Sequence, residues 1–133
     1  MSIFIDTGIF SGAYNIRDRY HTRAKEILRK ILEGHFGHAY TSDYIFDETL
    51  TLAFLKTKNY DATIRLGHSI LESNISLLYV DDDDFIDAWN LFKRLKKGLS
   101  FTDCTSLVLI RRYRISRIAS FDTDFDGLVE RVF

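Results

Sequence analysis

The sequence predicts an α/β domain with a mainly parallel sheet, because two patterns alternate along the chain. Short apolar runs rich in Ile, Phe and Val predict buried strands, and longer segments with apolar residues at helical spacing predict amphipathic helices. Right-handed crossovers between such strands place helices on both faces of the sheet, so a three-layer α/β/α arrangement is expected. No linker, internal repeat or change of composition divides residues 1–133, which predicts a single domain.

The individual strands and helices follow from these patterns. Strands are predicted over residues 2–5, 38–41, 75–80, 117–120 and 130–133. Helices are predicted over about 8–14, 18–32, 42–56, 59–72, 81–97 and 104–113. Because the chain contains no proline, glycine and small polar residues must set the helix ends. Gly34 and Gly98 are expected to stop two helices, and Ser100 with Asp103 has the spacing of a capping box.

Composition and charge exclude several classes of protein. The single cysteine, Cys104, rules out an intrachain disulfide, and no apolar run approaches the roughly 20 residues of a membrane span. The N-terminal segment is short and carries Asp6, so it is not predicted to be a signal peptide. A cytoplasmic protein without membrane contact is therefore expected. The net charge of −1 means that a nucleic-acid partner would need a local basic patch.

Four acidic residues, Asp6, Glu48, Asp103 and Asp122, are candidates for one divalent-metal site. Asp6 ends the first strand and Asp122 follows the fourth. Ligands of open parallel sheets bind beyond the carboxyl ends of strands, where the strand order reverses, so both carboxylates face one crevice if these strands are neighbours. Asp103 lies near the start of the sixth helix and Glu48 about halfway along the third. That these two residues also reach the crevice is a hypothesis.

Clustered carboxylates suit hard divalent cations. Mg²⁺ prefers oxygen ligands, takes only one or two carboxylates directly and keeps several waters, so four acids could hold one or two ions, some through water. Two ions about 3.5–4 Å apart could stabilise the attacking and leaving oxygens of a phosphodiester displacement. Without cations the four negative charges would repel, and at least one carboxyl group is expected to have a raised pKa.

These residues lie in motifs that resemble those of the PIN-domain ribonucleases, most closely the VapC-type toxins of prokaryotic toxin–antitoxin pairs. The motifs span nearly the whole chain in the family's order: Phe4-Ile5-Asp6-Thr7, Asp47-Glu48, Leu99-Ser100-Phe101-Thr102-Asp103 and Ser120-Phe121-Asp122-Thr123-Asp124-Phe125. Each motif alone is weak, and the four together are fairly specific. The resemblance implies a PIN-like three-layer fold with about five mainly parallel strands.

The resemblance also implies an activity and partners. Asp6, Glu48, Asp103 and Asp122 would be the catalytic and metal-binding quartet of an endoribonuclease that depends on Mg²⁺ or Mn²⁺ and leaves a 5′-phosphate. By the same resemblance, the chain would form a homodimer and be inhibited by a small antitoxin, often through an Arg offered to the carboxylates. The supporting residues would be Thr7, Ser120 and Asp124. Since Asp124 stands two residues from Asp122, which of the two is the fourth acid stays open.

Structural roles and other functions compete with these interpretations. Each acid could instead cap a helix, form a turn or face solvent. The run 81–84 is expected to be a helix cap with charges facing water, and Cys104 is expected to pack in the core. Basic residues at 93–97 and 111–117 could be a solvated surface or a phosphate-positioning rim around the acids. A PIN nuclease of RNA processing or decay without an antitoxin, and a non-catalytic RNA- or protein-binding module, are the alternative functions.

Overall fold

Five parallel strands form one sheet in the computed structural model, which describes residues 1–133. The strands are β1 (Ser2–Ile5), β2 (His38–Ser42), β3 (Ser76–Leu78), β4 (Arg117–Ala119) and β5 (Glu130–Val132). Their order across the sheet is β3-β2-β1-β4-β5, and every neighbouring pair is parallel. The predicted parallel α/β fold is therefore confirmed.

The central strand β1 sets the position of the crevice. Ile3, Phe4 and Ile5 are completely buried, as expected for a parallel strand covered on both faces. The chain passes from β1 to β2 and β3 on one side and then returns to β4 and β5 on the other. The strand order thus reverses between β1 and β4, whose register pairs Ile5 with Ala119. The first and fourth predicted strands are neighbours, as the convergence of Asp6 and Asp122 requires.

Six helices cover the sheet. They are α1 (Thr7–Tyr14), α2 (His21–Leu32), α3 (Asp43–Thr57), α4 (Tyr60–Leu71), α5 (Asp82–Leu95) and α6 (Phe101–Arg112). The first four pack against one another, and α5 packs against α6, in a three-layer α/β/α arrangement. None of the helices combines the length and the apolar character that a membrane span requires.

Side-chain caps explain most of the helix boundaries. The side chains of Ser42 and Asn59 accept hydrogen bonds from backbone N–H groups at the starts of α3 and α4 and so cap these helices. The capping box of Ser100 and Asp103 starts α6 at Phe101, as the spacing of these two residues predicts. Helix α2 begins later than predicted, at His21, because Asp18 accepts a bond from the Tyr20 N–H and forms a turn first.

Helix α5 differs from expectation at both ends. It stops at Leu95 because Lys96 adopts the left-handed conformation, with φ of 49°, so the helix ends before Gly98. Asp81 forms the predicted N-terminal cap, in a capping box with Asp84. The prediction that the whole run 81–84 faces water is wrong for Asp84, which is buried and lies 2.6 Å from the Arg112 guanidinium. A buried carboxylate of this kind requires such a partner.

Candidate functional site

Asp6 lies at the carboxyl end of β1, where the backbone is held from both sides. Its N–H donates to the Ala119 carbonyl at 3.0 Å, and the Thr41 hydroxyl donates to the preceding carbonyl of Ile5 at 3.0 Å. Asp6 is the N-cap residue of α1, but its side chain makes no capping hydrogen bond to the helix backbone. It accepts instead from the Ser120 hydroxyl at 2.6 Å. A purely structural capping role therefore does not account for its orientation.

The environment of Asp6 disfavours its charge. The pKa of Asp6 is raised from its ordinary 3.8 to about 7, chiefly by burial and also by the negative charges of Asp103 and Glu48. The hydrogen bonds from Ser120 and from the Thr7 backbone act in the opposite direction. This is the raised pKa expected for a carboxylate cluster without cations.

Asp103 combines a structural contact with a position facing the other acids. Its backbone N–H donates to the Ser100 hydroxyl at 3.0 Å, and its carboxylate accepts from the Ser100 N–H at 2.9 Å. Burial raises the pKa of Asp103, and the charges of Asp122 and Glu48 also raise it. The neighbouring thiol of Cys104 is fully buried and its pKa is raised by burial, which fits the predicted packing role.

Asp122 and Asp124 occupy different surroundings. Asp122 is half-buried, its N–H donates to the Ser120 hydroxyl, and its charge acts on Asp103. Asp124 is exposed, and its side chain faces Gly98, where an added Cβ would lie 3.3 Å from its carboxylate. Of the two residues, Asp122 faces the other acids.

Ser120 links the ends of two chain segments at the site. Its side chain is fully buried, donates to Asp6 and accepts from the Asp122 N–H at 3.0 Å. Thr7, the other predicted supporting residue, is also buried, but its hydroxyl has no hydrogen-bond partner. A buried polar atom without a partner is uncommon and calls for an explanation, and an ordered water or hydrated ion would provide its missing bond.

No positive side chain offsets the charges of the quartet. None of Asp6, Glu48, Asp103 and Asp122 forms an ion pair with Lys, Arg or His. The acids are close enough to perturb one another, yet no group of three Asp, Glu, His or Cys side chains surrounds a single point as metal ligands do. Oxygen donors, uncompensated charge and the unpartnered Thr7 hydroxyl fit a hydrated hard cation that is held partly through water.

The two basic segments lie at opposite ends of the site's elements. Lys96 and Lys97 immediately precede Gly98, which faces Asp124, so this segment lies beside the acids. Arg111 and Arg114 lie at the far end of α6 and before β4, away from Asp103 and Asp122. A single basic rim around the acids does not describe this arrangement.

The sequence did not indicate two further contributors to the site. Thr41 fixes the backbone before Asp6 from a neighbouring strand, which no local pattern reveals. Phe121 stacks on Tyr20 with ring centroids 4.3 Å apart and so anchors the segment between Ser120 and Asp122. Both contacts join residues far apart in the chain, and only the fold brings them together.

Comparison with known proteins agrees with this geometry. The model of the PIN domain family matches residues 3–130. A VapC ribonuclease of Archaeoglobus fulgidus is 34% identical over 127 residues, which are 94% of this chain and 80% of the relative. The 23S rRNA-specific endonuclease VapC20 of Mycobacterium tuberculosis is 28% identical over 131 residues, which are 96% of each chain.

Solved structures give the same result. The crystal structure of M. tuberculosis VapC20, a Sarcin-Ricin loop cleaving toxin, superposes with a TM-score of 0.84 at 27% identity, covering 96% of this chain and 97% of that one. A toxin–antitoxin complex from Klebsiella pneumoniae superposes with a TM-score of 0.69 at 17% identity, covering 98% and 96%, and at that identity it supports the fold alone. By the family match and the A. fulgidus relative, the chain belongs to the PIN-domain family, with VapC ribonucleases among its relatives.

Proposed function

We propose that this protein is an endoribonuclease that depends on Mg²⁺ or Mn²⁺ and acts as the toxin of a type II toxin–antitoxin pair. The observation that carries the proposal is the buried carboxylate of Asp6, which faces further acids without any compensating cation from the protein. The A. fulgidus relative is a ribonuclease, and VapC20 is an endonuclease of ribosomal RNA. Their likeness to this chain supports RNA as the substrate.

The quartet would hold the metal through Asp6, Asp103 and Asp122, partly by way of bound water, with Glu48 binding directly or through water. A bound divalent ion would supply positive charge to the phosphate and to the attacking and leaving oxygens. Ser120 would hold the Asp6 carboxylate in one orientation, because its hydroxyl donates at 2.6 Å. Thr7 would offer its free hydroxyl to a water or a phosphate oxygen. The Ser100 N–H would keep Asp103 aimed at the crevice.

The function is tested by incubating the protein with total cellular RNA and, separately, with intact ribosomes. Mg²⁺ or Mn²⁺ is supplied in one sample and chelated in another, and the new 5′-phosphate ends are mapped by sequencing. A mixture of RNAs is needed because such an enzyme can be selective for one site. Metal-dependent cuts at discrete positions support the proposal. The absence of any metal-dependent cut in the mixture contradicts it.

Separate replacement of Asp122 and Asp124 by Asn should show which of the two residues is the fourth acid of the site. Asp122→Asn is expected to lower the cleavage rate by about 10²-fold, the scale for loss of one preorganised electrostatic group. Asp124→Asn is the matched control and should retain most activity, because that side chain is exposed and faces Gly98. Initial rates on one mapped RNA measure both. If Asp124→Asn cleaved RNA more slowly than Asp122→Asn, Asp124 would be the fourth acid.

A small antitoxin is the proposed partner, and a cytoplasmic location is proposed with it. The uncompensated acids would attract an Arg side chain from the inhibitor, which would form charge-assisted hydrogen bonds in the place of the cations. The proposal predicts that a small antitoxin, co-expressed with the protein, copurifies with it and blocks cleavage. A companion that binds without reducing cleavage would argue against inhibition at this site.

A homodimer is also proposed, and the outer face of α5 supports it. Phe85, Ile86, Trp89 and Phe92 are all at least 39% exposed on this one helix, which is unusual for a monomer surface. The helix begins with acidic residues and ends with basic ones. Antiparallel pairing of two copies about a twofold axis would join opposite charges. Light scattering tests this, and a monomeric mass for the purified protein contradicts it.

A further inference from the structure

A cavity of about 440 Å³ is lined by Ser116 and Glu130 at the amino ends of β4 and β5, whereas Asp6 lies at the carboxyl end of β1. Its apolar floor comes from α5, α6 and the segments around β4 and β5, and includes Leu91, Leu107 and Ile115. Three arginines, Arg94, Arg111 and Arg114, line the same cavity. The volume and the mixture of an apolar floor with a few charged groups are typical of small-ligand sites.

The three arginines carry uncompensated charge. None of them forms an ion pair, whereas the adjacent Arg112 binds both Asp81 and Asp84. The one carboxylate that lines the cavity, Glu130, pairs with Arg117 at 3.9 Å. Acids of α5 border an adjoining cavity that shares Arg94 and Arg111 but not Arg114. An anion is therefore the ligand that this cavity would attract, and Arg114 belongs to it alone.

The backbone at Arg114 is in the left-handed conformation. Arg114 has a φ of 54°, in the left-handed region that disfavours residues with a side chain and favours glycine. It follows the end of α6, the position where glycine commonly terminates a helix. Arg occupies it although its side chain makes no hydrogen bond or ion pair to compensate. Lys58 and Lys96 end α3 and α5 in the same conformation, so this backbone marks a helix end, and exchange of Arg114 for glycine should relieve its strain.

The cavity and the acids lie at the two ends of the same elements. Helix α6 carries Asp103 in its first turn and Arg111 in its last, about 12 Å apart at ~1.5 Å per residue. Strand β4 separates Ser116, which lines the cavity, from Ser120 by about 13 Å at ~3.3 Å per residue.

We propose that this cavity binds a nucleotide of the RNA substrate away from the scissile bond, with the arginines on its phosphate and the apolar floor against its base. The inference rests on the proposed function, because it assigns a second contact to the same substrate. Arg suits this role, since its planar guanidinium binds phosphate in a bidentate manner. The site also gives a chain with a net charge of −1 a local positive charge for RNA, because three arginines without ion pairs line one cavity.

The test measures RNA binding without cleavage, using fluorescence anisotropy of a labelled single-stranded RNA in EDTA. Two variants are compared with the wild type. One is the double variant Arg111→Gln and Arg114→Gln, and the other is the single variant Arg114→Gly. The matched control is Arg65→Gln on α4, an exposed arginine outside the cavity. Each lost phosphate contact should weaken binding about threefold and lower the slope of log affinity against log salt by about 0.7, so the double variant should bind about tenfold more weakly. Arg114→Gly should also melt at a higher temperature than the wild type, which separates weaker binding from misfolding.

The inference is supported if both cavity variants lose affinity and salt dependence while Arg65→Gln does not. Unchanged binding by the cavity variants, an equal loss in Arg65→Gln, or no RNA binding by the wild type overturns it. Adenosine 5′-monophosphate is titrated as well. Tight binding of this free nucleotide with the same arginine dependence would overturn the assignment to RNA in favour of a free ligand. Because no metal is present, these results are independent of the cleavage experiment, which can fail or succeed separately.

Discussion

Asp6→Asn is expected to reduce metal-dependent RNA cleavage by about 10²–10³-fold, the scale for removal of one preorganised electrostatic group. The physical reason is that Asn keeps the shape and can still accept the Ser120 hydrogen bond, but it lacks the charge that would hold a cation. Asp103→Asn should act similarly, since its carboxylate faces Glu48 and Asp122. Initial rates on one mapped RNA at saturating Mn²⁺ measure the effect.

The control for both variants is Asp47→Asn, next to Glu48 on α3. Asp47 is exposed and makes no ion pair. The Asp47→Asn variant therefore loses one negative charge without a change in the acidic cluster, and it should cleave RNA as the wild type does. Circular dichroism confirms that each variant is folded. Undiminished cleavage by both Asp6→Asn and Asp103→Asn would show that the metal site has been assigned to the wrong residues.

Stability without metal is expected to fall as the pH rises. The folded pKa of Asp6, about 7, lies above its ordinary 3.8, so the folded protein binds the proton more tightly than the unfolded chain. The free energy of unfolding is therefore highest below about pH 4 with respect to this group, and it declines between about pH 4 and pH 7. The total loss is on the order of 4 kcal/mol at 1.36 kcal/mol per pKa unit. Chemical denaturation in EDTA at several pH values measures it.

The same measurement has two internal controls. Asp6→Asn should be more stable than the wild type above pH 7, because it has no buried charge there, and its stability should change less across the window. Mg²⁺ should stabilise the wild type above pH 7 by binding only the folded protein, and it should have little effect on the variant. A wild-type protein whose stability is level between pH 4 and pH 7, or Mg²⁺ stabilisation that persists in Asp6→Asn, contradicts the account.

Much of the fold could be predicted because local signals agree with the global structure. The apolar run at residues 2–5 predicts β1, and the structure makes it the buried centre of the sheet. The spacing of Ser100 and Asp103 predicts a capping box that the structure contains. The limits of α5 were less predictable, because Lys96 in a left-handed conformation contradicts local preference. The partner of Asp84 lies 28 residues away on α6 and left no local signal.

The members of the candidate site are predicted from the sequence and remain a prediction, whereas their geometry depends on the fold. Residue type and strand position singled out Asp6 and Asp122, because a parallel sheet brings its carboxyl strand ends together. The choice between Asp122 and Asp124 needed the fold, since both lie in one short segment and differ only in what their side chains face. The separation of the basic residues into two groups also depended on the fold. Arg114 is close to the acids in sequence, yet β4 lies between them.

Binding of Mn²⁺ to the protein, followed by isothermal titration calorimetry after metal removal, tests the central claim most directly. The wild type should bind one or two ions, and Asp6→Asn and Asp103→Asn should each bind at least about tenfold more weakly, a loss of about 1.4 kcal/mol. Asp47→Asn should bind as the wild type does. Equal Mn²⁺ affinity in the wild type, Asp6→Asn and Asp103→Asn would contradict the claim that these carboxylates form the metal site.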